Sequence, residues 1–240
     1  MTGSADRRTA AAPTAVPSAP PAPTAEEARA AAQVFGSHLE LAERYVVHLA
    51  TSGIERGLLG PREVPRLWER HVLNCAVLGE LIPADLHVAD IGSGAGLPGV
   101  ALAIARPDLR IELIEPLERR VRWLGEVIED LGLTQVSVHR DRAENVAETI
   151  DVDVVTSRAV SALTTLVPWS MPLLHGSGRM LAIKGRSATE EIVKAEKAIR
   201  RAGGANPRVL TAGEGLLPVP TTVVSVDAVP GRAPSTRAGR

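Results

Sequence analysis

The sequence predicts an α/β protein with a mostly parallel sheet, an antiparallel last strand and a helical cap ahead of it. Three observations carry that expectation. From His87 onward, short apolar runs alternate with helical patterns, the order that builds a parallel sheet covered on both faces. Between the first run and its helix lies Val88-Ala89-Asp90-Ile91-Gly92-Ser93-Gly94-Ala95-Gly96-Leu97-Pro98-Gly99, a strand that ends in an acid and turns through closely spaced glycines. The last two runs are joined only by Ala212–Pro220, too short for a crossover helix, so the final strand should run antiparallel.

The elements follow in order. Residues 1–23 are largely Ala, Pro, Thr and Ser without periodicity; they have little to bury and are expected to be a disordered tail. A helical cap is expected over 24–82. Thr24-x-x-Glu27 and Ser37-x-x-Glu40 both read as capping boxes, and Leu39, Ala42, Val46 and Leu49 share one helical face. A glycine-rich connection over Thr51–Arg62 precedes a helix with Pro65 in its first turn, running to about Leu81. The main domain is expected over 83–229. Its strands are His87–Ile91, Arg110–Glu115, Gln135–Val138, Val152–Ser157, Arg179–Ile183, Arg208–Thr211 and Thr221–Ala228. Its helices are Leu97–Ala105, Leu117–Leu131, Ala162–Leu174 and Ala188–Arg201. Residues 230–240 read as a weakly basic disordered end.

Composition narrows the function classes. Of 240 residues, 45% are hydrophobic and only 2% aromatic, so the core must be aliphatic. No apolar run approaches the ~18 residues of a membrane span, and no apolar segment follows Arg7-Arg8 as a secretory signal would require. A lone cysteine, Cys75, excludes an intrachain disulfide and fits a reducing cytoplasm. The net charge of -1 supplies no global field for a polyanion. Contacts to a polyanion must then come from local basic clusters such as Arg119, Arg120 and Arg122, or Lys184 and Arg186. No His, Cys, Asp or Glu grouping has metal-ligand spacing, so no metal is expected.

The glycine loop is the strongest chemical signal. A dinucleotide fingerprint requires G-x-G-x-x-G, but here the third glycine comes one residue early and Leu97 stands in its place. Asp90 would repel a pyrophosphate and welcome a ligand amine. Acid-x-Gly-x-Gly-x-Gly resembles the S-adenosylmethionine loop of class I, Rossmann-like methyltransferases. Glu115 ends the second strand, where an acid can accept both hydroxyls of a ribose; the plainer reading is an exposed carboxylate that contributes little to the core. Arg142-Ala143-Glu144 follows the third strand at the same edge, and could equally be a helix start. Cys75 has no neighbouring proline and reads as a small buried residue. His71 reads as a packing or polar contact. Arg158, after the fourth strand, and Lys184, at the end of the fifth, remain as fixed cations expected to face the donor.

Taken together, Arg70-His71-Val72-Leu73, the Asp90–Gly99 loop, Arg119-Arg120-Val121-Arg122-Trp123-Leu124, Arg142-Ala143-Glu144, Ser157-Arg158-Ala159 and Ile183-Lys184-Gly185 resemble the RsmG (GidB) family of 16S ribosomal RNA guanine-N7 methyltransferases. The likeness runs from about Trp68 to Gly185. It departs from the family at Asn74-Cys75 and Leu49-Ala50-Thr51, so the cap is less well matched than the donor loop. The resemblance implies donor contacts at Gly92, Leu97, Ala143, Glu144 and Arg158, to which the loop reading adds Asp90, Gly94, Gly96 and Glu115. It implies S-adenosylmethionine as donor, S-adenosylhomocysteine as product, and 16S RNA or the small ribosomal subunit as partner; the protein is expected to be cytoplasmic and a monomer. Arg158, Lys184 and His71 are the candidate catalytic residues, and Arg119, Arg122 and Lys184 the candidate RNA contacts. Guanine N7 already carries an in-plane lone pair, so its methylation needs no base to remove a proton. Alignment alone can then contribute ~7–11 kcal/mol. Two other readings stand beside this one: a methyltransferase acting on a small molecule or protein, and a non-catalytic ribosome-associated factor.

Overall fold

A strand's side chains alternate between faces, and here both faces are apolar, so both must be covered. The computed structural model describes Pro20 and residues 22–230; the tails expected over 1–23 and 230–240 fall almost wholly outside the described residues. Seven strands form one sheet: β1 (His87–Ile91), β2 (Arg110–Ile114), β3 (Val136–His139), β4 (Val154–Arg158), β5 (Arg179–Lys184), β6 (Gly204–Ala212) and β7 (Thr221–Ala228). Their order is β3-β2-β1-β4-β5-β7-β6. β1 to β5 are parallel neighbours, and β7 lies antiparallel to both β5 and β6. The short link after β6 therefore does what its length requires. β6 is longer than the run Arg208–Thr211 because pairing continues across an irregularity between Ala205 and Arg208, where Asn206 takes a positive φ and Pro207 lacks a donor.

Val88, Val154, Leu181 and Val223 point to one face; Ala89, Val155, Ala182 and Val224 point to the other. The first face is covered by α5 (Gly99–Ala105), α6 (Glu118–Leu131) and the cap, and the second by α7 (Ala143–Val146), α8 (Leu163–Ser170) and α9 (Ala188–Arg201). The helix expected over Ala162–Leu174 stops being α-helical at Ser170 and finishes as a 3-10 turn, since Pro172 has no N–H to continue the ladder.

The cap begins with α1 (Ala25–Phe35). Glu27 N–H donates to Thr24 Oγ1 at 3.2 Å and Thr24 N–H to the Glu27 carboxylate at 2.7 Å, so the first capping box is present. The second is not. Gly36 ends α1 at a φ of 51°, and Ser37 sits inside a 3-10 turn that runs straight into α2 (Leu39–Ala50), whose first donors are met without a side-chain cap. One turn, α3 (Ser52–Glu55), interrupts the expected connection. The single helix expected from Pro65 to Leu81 is instead four pieces. A 3-10 stretch (Pro61–Arg66) contains Pro65, a π-helical stretch covers Leu67–Leu73, α4 is only Asn74–Ala76, and a 3-10 turn closes Val77–Leu81. The wide π turn buries Leu67, Trp68, His71, Val72 and Leu73 together, more of the circumference than a regular helix presents to one neighbour. Asn74 then ties this stretch to the sheet, donating at 2.7 Å to Thr221 Oγ1 at the start of β7.

Candidate active site

The carboxyl ends of β1, β2 and β4 open onto a cleft of about 600 Å³, within the ~300–1,000 Å³ usual for small-ligand sites. Ile91, Ile114, Ala143, Val160 and Trp169 give it apolar walls, and Gly92, Glu115, Arg120, Asp141 and Glu144 its polar ones. The site lies where the order reverses: β2 and β3 go to one side of β1, β4 to the other.

Glu115 is 1% exposed and fully engaged. Its carboxylate accepts from Gly94 N–H at 3.0 Å and Leu117 N–H at 2.9 Å, with the Arg120 guanidinium 3.3 Å away. The acid thus holds the glycine loop and the entry to α6 at once. This corrects the expectation that Glu115 is exposed or contributes little to the structure: removing it orphans two backbone donors and a cation.

Loop geometry explains the glycine spacing. Gly92, Gly94 and Gly96 all have positive φ, the region a side chain resists. A Cβ at Gly94 would meet nothing nearer than Gly92 O at 3.7 Å, so its outward side is bare. At Gly96 a Cβ would fall 2.5 Å from Val100 Cγ2 and 3.0 Å from the Tyr45 hydroxyl, and at Gly99 2.3 Å from Leu113 Cδ2. Gly96 therefore faces the protein and not the cleft, and Leu97 packs into the apolar core on the cap side. Asp90 also turns inward. It is wholly buried, its Oδ2 accepts from Gly99 N–H at 3.0 Å, and Oδ1 has no partner among the described residues. Burial pushes its carboxyl up to about 7. Tyr45, from α2, donates to Ala95 O at 2.6 Å and so braces the loop from the cap.

Of the residues assigned to the donor from sequence, the structure brings Gly92, Glu115, Ala143 and Glu144 to the cleft, with Gly94 joined through Glu115. Asp90, Gly96, Leu97 and Arg158 do not line it. The Arg158 guanidinium crosses to the cap. It donates to His71 Nδ1 at 2.7 Å and to Cys75 Sγ at 3.1 Å, with the His71 carbonyl at 3.4 Å. His71 is accordingly a polar partner 87 residues away in sequence, and burial raises the pKa of the Cys75 thiol. Lys184 does not face the cleft either: its ammonium donates to Ser161 O at 2.7 Å and pairs with Glu191 at 2.8 Å. That contact ties β5 and α9 to the loop containing Ala159 and Val160. Arg122 pairs with Glu118 at 3.1 Å, and Glu118 also pairs with Arg140 at 2.9 Å. Arg119 is exposed on the same helix.

Sequence reasoning gave no individual role to Arg120, Trp169, Tyr45 or Glu63. Arg120 is five residues beyond Glu115 on a helix that starts beside it, a spacing that was readable. Trp169 and Tyr45 reach the site only through tertiary packing, for which the local pattern holds no signal.

A seven-stranded sheet in this order, with a glycine loop after its first strand and an acid after its second, is the class I methyltransferase fold. A methyltransferase from Aquifex aeolicus described as SAM dependent shares it, at a TM-score of 0.51 and 18% identity over 74% of this chain and 98% of that one. Residues 38–216 match the family described as "GidB: rRNA small subunit methyltransferase G". Proteins named ribosomal RNA small subunit methyltransferase G from Pseudarthrobacter chlorophenolicus and an Arthrobacter species are each 64% identical over 203 residues, covering 85% of this chain and 94% of theirs. The chain belongs to this family of ribosomal RNA methyltransferases.

Proposed function

We propose that the chain transfers the methyl group of S-adenosylmethionine to N7 of a guanine in 16S ribosomal RNA, leaving S-adenosylhomocysteine. The observation that carries this reading is the cleft itself, in which a buried acid, Glu115, stands against glycine backbone beside an apolar slot. The residues present suit that donor. The outward side of Gly94 leaves room that a Cβ would take, and Glu115 can exchange its 3.3 Å contact with Arg120 for a ribose hydroxyl while keeping both backbone donors. Ile91, Ile114, Ala143 and Val160 suit the faces of a purine, with Trp169 at the same wall.

The donor supplies an electrophilic methyl on a sulfonium; the protein has to align it with an existing lone pair. N7 gives up no proton, so the site needs no general base. Arg158 is the group we assign to orienting the guanine, and its neighbours hold the guanidinium in place. Lys184 contributes by fixing the loop at Ser161. Arg119 and Arg122 supply local positive charge for RNA phosphates on a chain of nearly zero net charge. No helix among the described residues is long and apolar enough to cross a membrane. We further propose that the protein acts as a monomer in the cytoplasm, where its substrate resides. In a strain lacking the gene, 16S RNA should lose one 7-methylguanosine and regain it on complementation. An unchanged set of modified guanines would remove the proposal.

A further inference from the structure

We infer that Glu63, acting through His71, is the positioning residue for Arg158, forming a carboxylate–imidazole–guanidinium relay from the cap to β4. The inference rests on the reading of Arg158 as the orienting cation. Three distances define it. Glu63 Oε2 lies 2.7 Å from His71 Nε2, His71 Nδ1 lies 2.7 Å from an Arg158 nitrogen, and Arg158 has a second donor on Cys75 Sγ at 3.1 Å.

The chemistry of these groups fixes where the proton sits. A guanidinium has only donors, so His71 Nδ1 must present its lone pair to Arg158. The ring proton is then on Nε2, and an ionised Glu63 accepts it. Were Glu63 absent, only the Arg158 contact would favour that tautomer over the one with a proton on Nδ1, and the Nε2 proton would lose the acceptor that fixes the ring. The relay is the arrangement by which a carboxylate sets the tautomer of a histidine that holds something else.

The surroundings agree. His71 is 5% exposed, while Glu63 is half-buried at the cap surface. Burial and the Arg158 charge lower the pKa of His71, Glu63 opposes them and Arg70 adds to them. The hydrogen bond to His71 lowers that of Glu63, with Arg70 and Arg66 reinforcing it. A neutral imidazole between an ionised carboxylate and a guanidinium is thus the resting state. Protonating His71 would remove the acceptor and place a second cation against Arg158. The π-helical stretch over Leu67–Leu73 provides the geometry, turning His71 inward while Glu63 is held eight residues earlier.

The test is a double-mutant cycle read as turnover at saturating donor and saturating 16S RNA. Glu63→Ala should lower turnover by about tenfold or more. Glu63→Gln, whose amide oxygen can still accept from Nε2, should retain more than Glu63→Ala. His71→Asn places a side-chain oxygen close to the position of Nδ1, so it supplies the acceptor without needing Glu63. In that background Glu63→Ala should cost nothing further. The acid limb of the pH profile should also move to lower pH in Glu63→Ala, because the group that raises the His71 pKa is gone. Additive losses in the cycle, or an acid limb that stays put while turnover falls, would overturn the relay. Calorimetric binding of S-adenosylmethionine to the wild-type protein separates the two claims. Absence of donor binding defeats the methyltransferase reading itself, whereas normal binding with additive losses defeats the relay alone.

Discussion

The two sides of the candidate site are held in different ways. At β2 the acid, the glycine loop and the start of α6 hold one another through contacts spanning only 2 to 21 residues of sequence. At β4 the key side chain, Arg158, leaves its own strand and is held by the cap across 83 to 87 residues. The first is a local device, complete within one strand–loop–helix neighbourhood. The second exists only once the cap has docked. This cap therefore braces the candidate site and is not an isolated appendage, since its Tyr45 holds the glycine loop and its His71 and Cys75 hold Arg158.

The largest effect that would sharpen this contrast comes from the glycines. Gly94→Val should fold, because its Cβ meets open space, yet lose donor binding in calorimetry. The strained φ should cost ~1–2 kcal/mol of stability. Gly96→Val and Gly99→Val should instead fail at the level of folding, since their added atoms collide with Val100 and Leu113. A Gly94→Val protein that binds donor normally would break the assignment of the β2 side.

Next in size is Glu115→Ala. Donor affinity should fall, and stability should fall with it by ~1–3 kcal/mol, because the part-buried hydrogen bonds from Gly94 N–H and Leu117 N–H to the buried carboxylate are lost. Chemical denaturation that gives an unchanged midpoint would contradict the bracing role.

A third effect depends on pH. Burial raises the Asp90 carboxyl from 3.8 to about 7, so the folded state binds this proton more tightly than the unfolded one. Its contribution to stability is complete below about pH 4 and is lost as pH rises through about 7. His71 works in the opposite sense, since its pKa is lowered on folding. Comparing the donor-free wild-type with Asp90→Asn isolates the carboxyl. Relative to the variant, the wild-type should lose on the order of a few kcal/mol between pH 5 and 8. Parallel curves would contradict an inward-turned, orphaned carboxylate.

The smallest effects lie on the surface. Arg119→Ala should flatten the salt dependence of RNA binding by roughly one unit per lost phosphate contact. Arg122→Ala should do so less, because Glu118 already offsets its charge. Unaltered slopes in both would make these arginines ordinary solvated charges.

What could be read from sequence follows the same division. Alternation of apolar runs and helical patterns placed the sheet strands because strand and helix periods are local properties, and β1 and β7 begin and end where the pattern does. Gly92, Glu115, Ala143 and Glu144 were legible as cleft residues because loop and strand-end positions map onto one edge of a parallel sheet. The cap was less legible. Pro65 and the π turn break its helical period, and the Ser37 box gave way to a 3-10 link between two helices. Arg158 and Lys184 were placed by their strand ends, but which way their side chains turn is decided by His71, Cys75, Ser161 and Glu191, and three of those four lie 23 or more residues away. Asp90 likewise has the position expected of it and the opposite orientation.

The reaction proposed for this site is methyl transfer to guanine N7 of 16S RNA. The most direct measurement incubates the purified protein and S-adenosylmethionine labelled in its methyl group with 16S RNA from a strain lacking the gene, then digests the RNA to nucleosides. The account predicts that the label appears as 7-methylguanosine at a single position, and that Gly94→Val abolishes it. Label recovered in another nucleoside, or none in RNA while the wild-type protein binds donor, would contradict it.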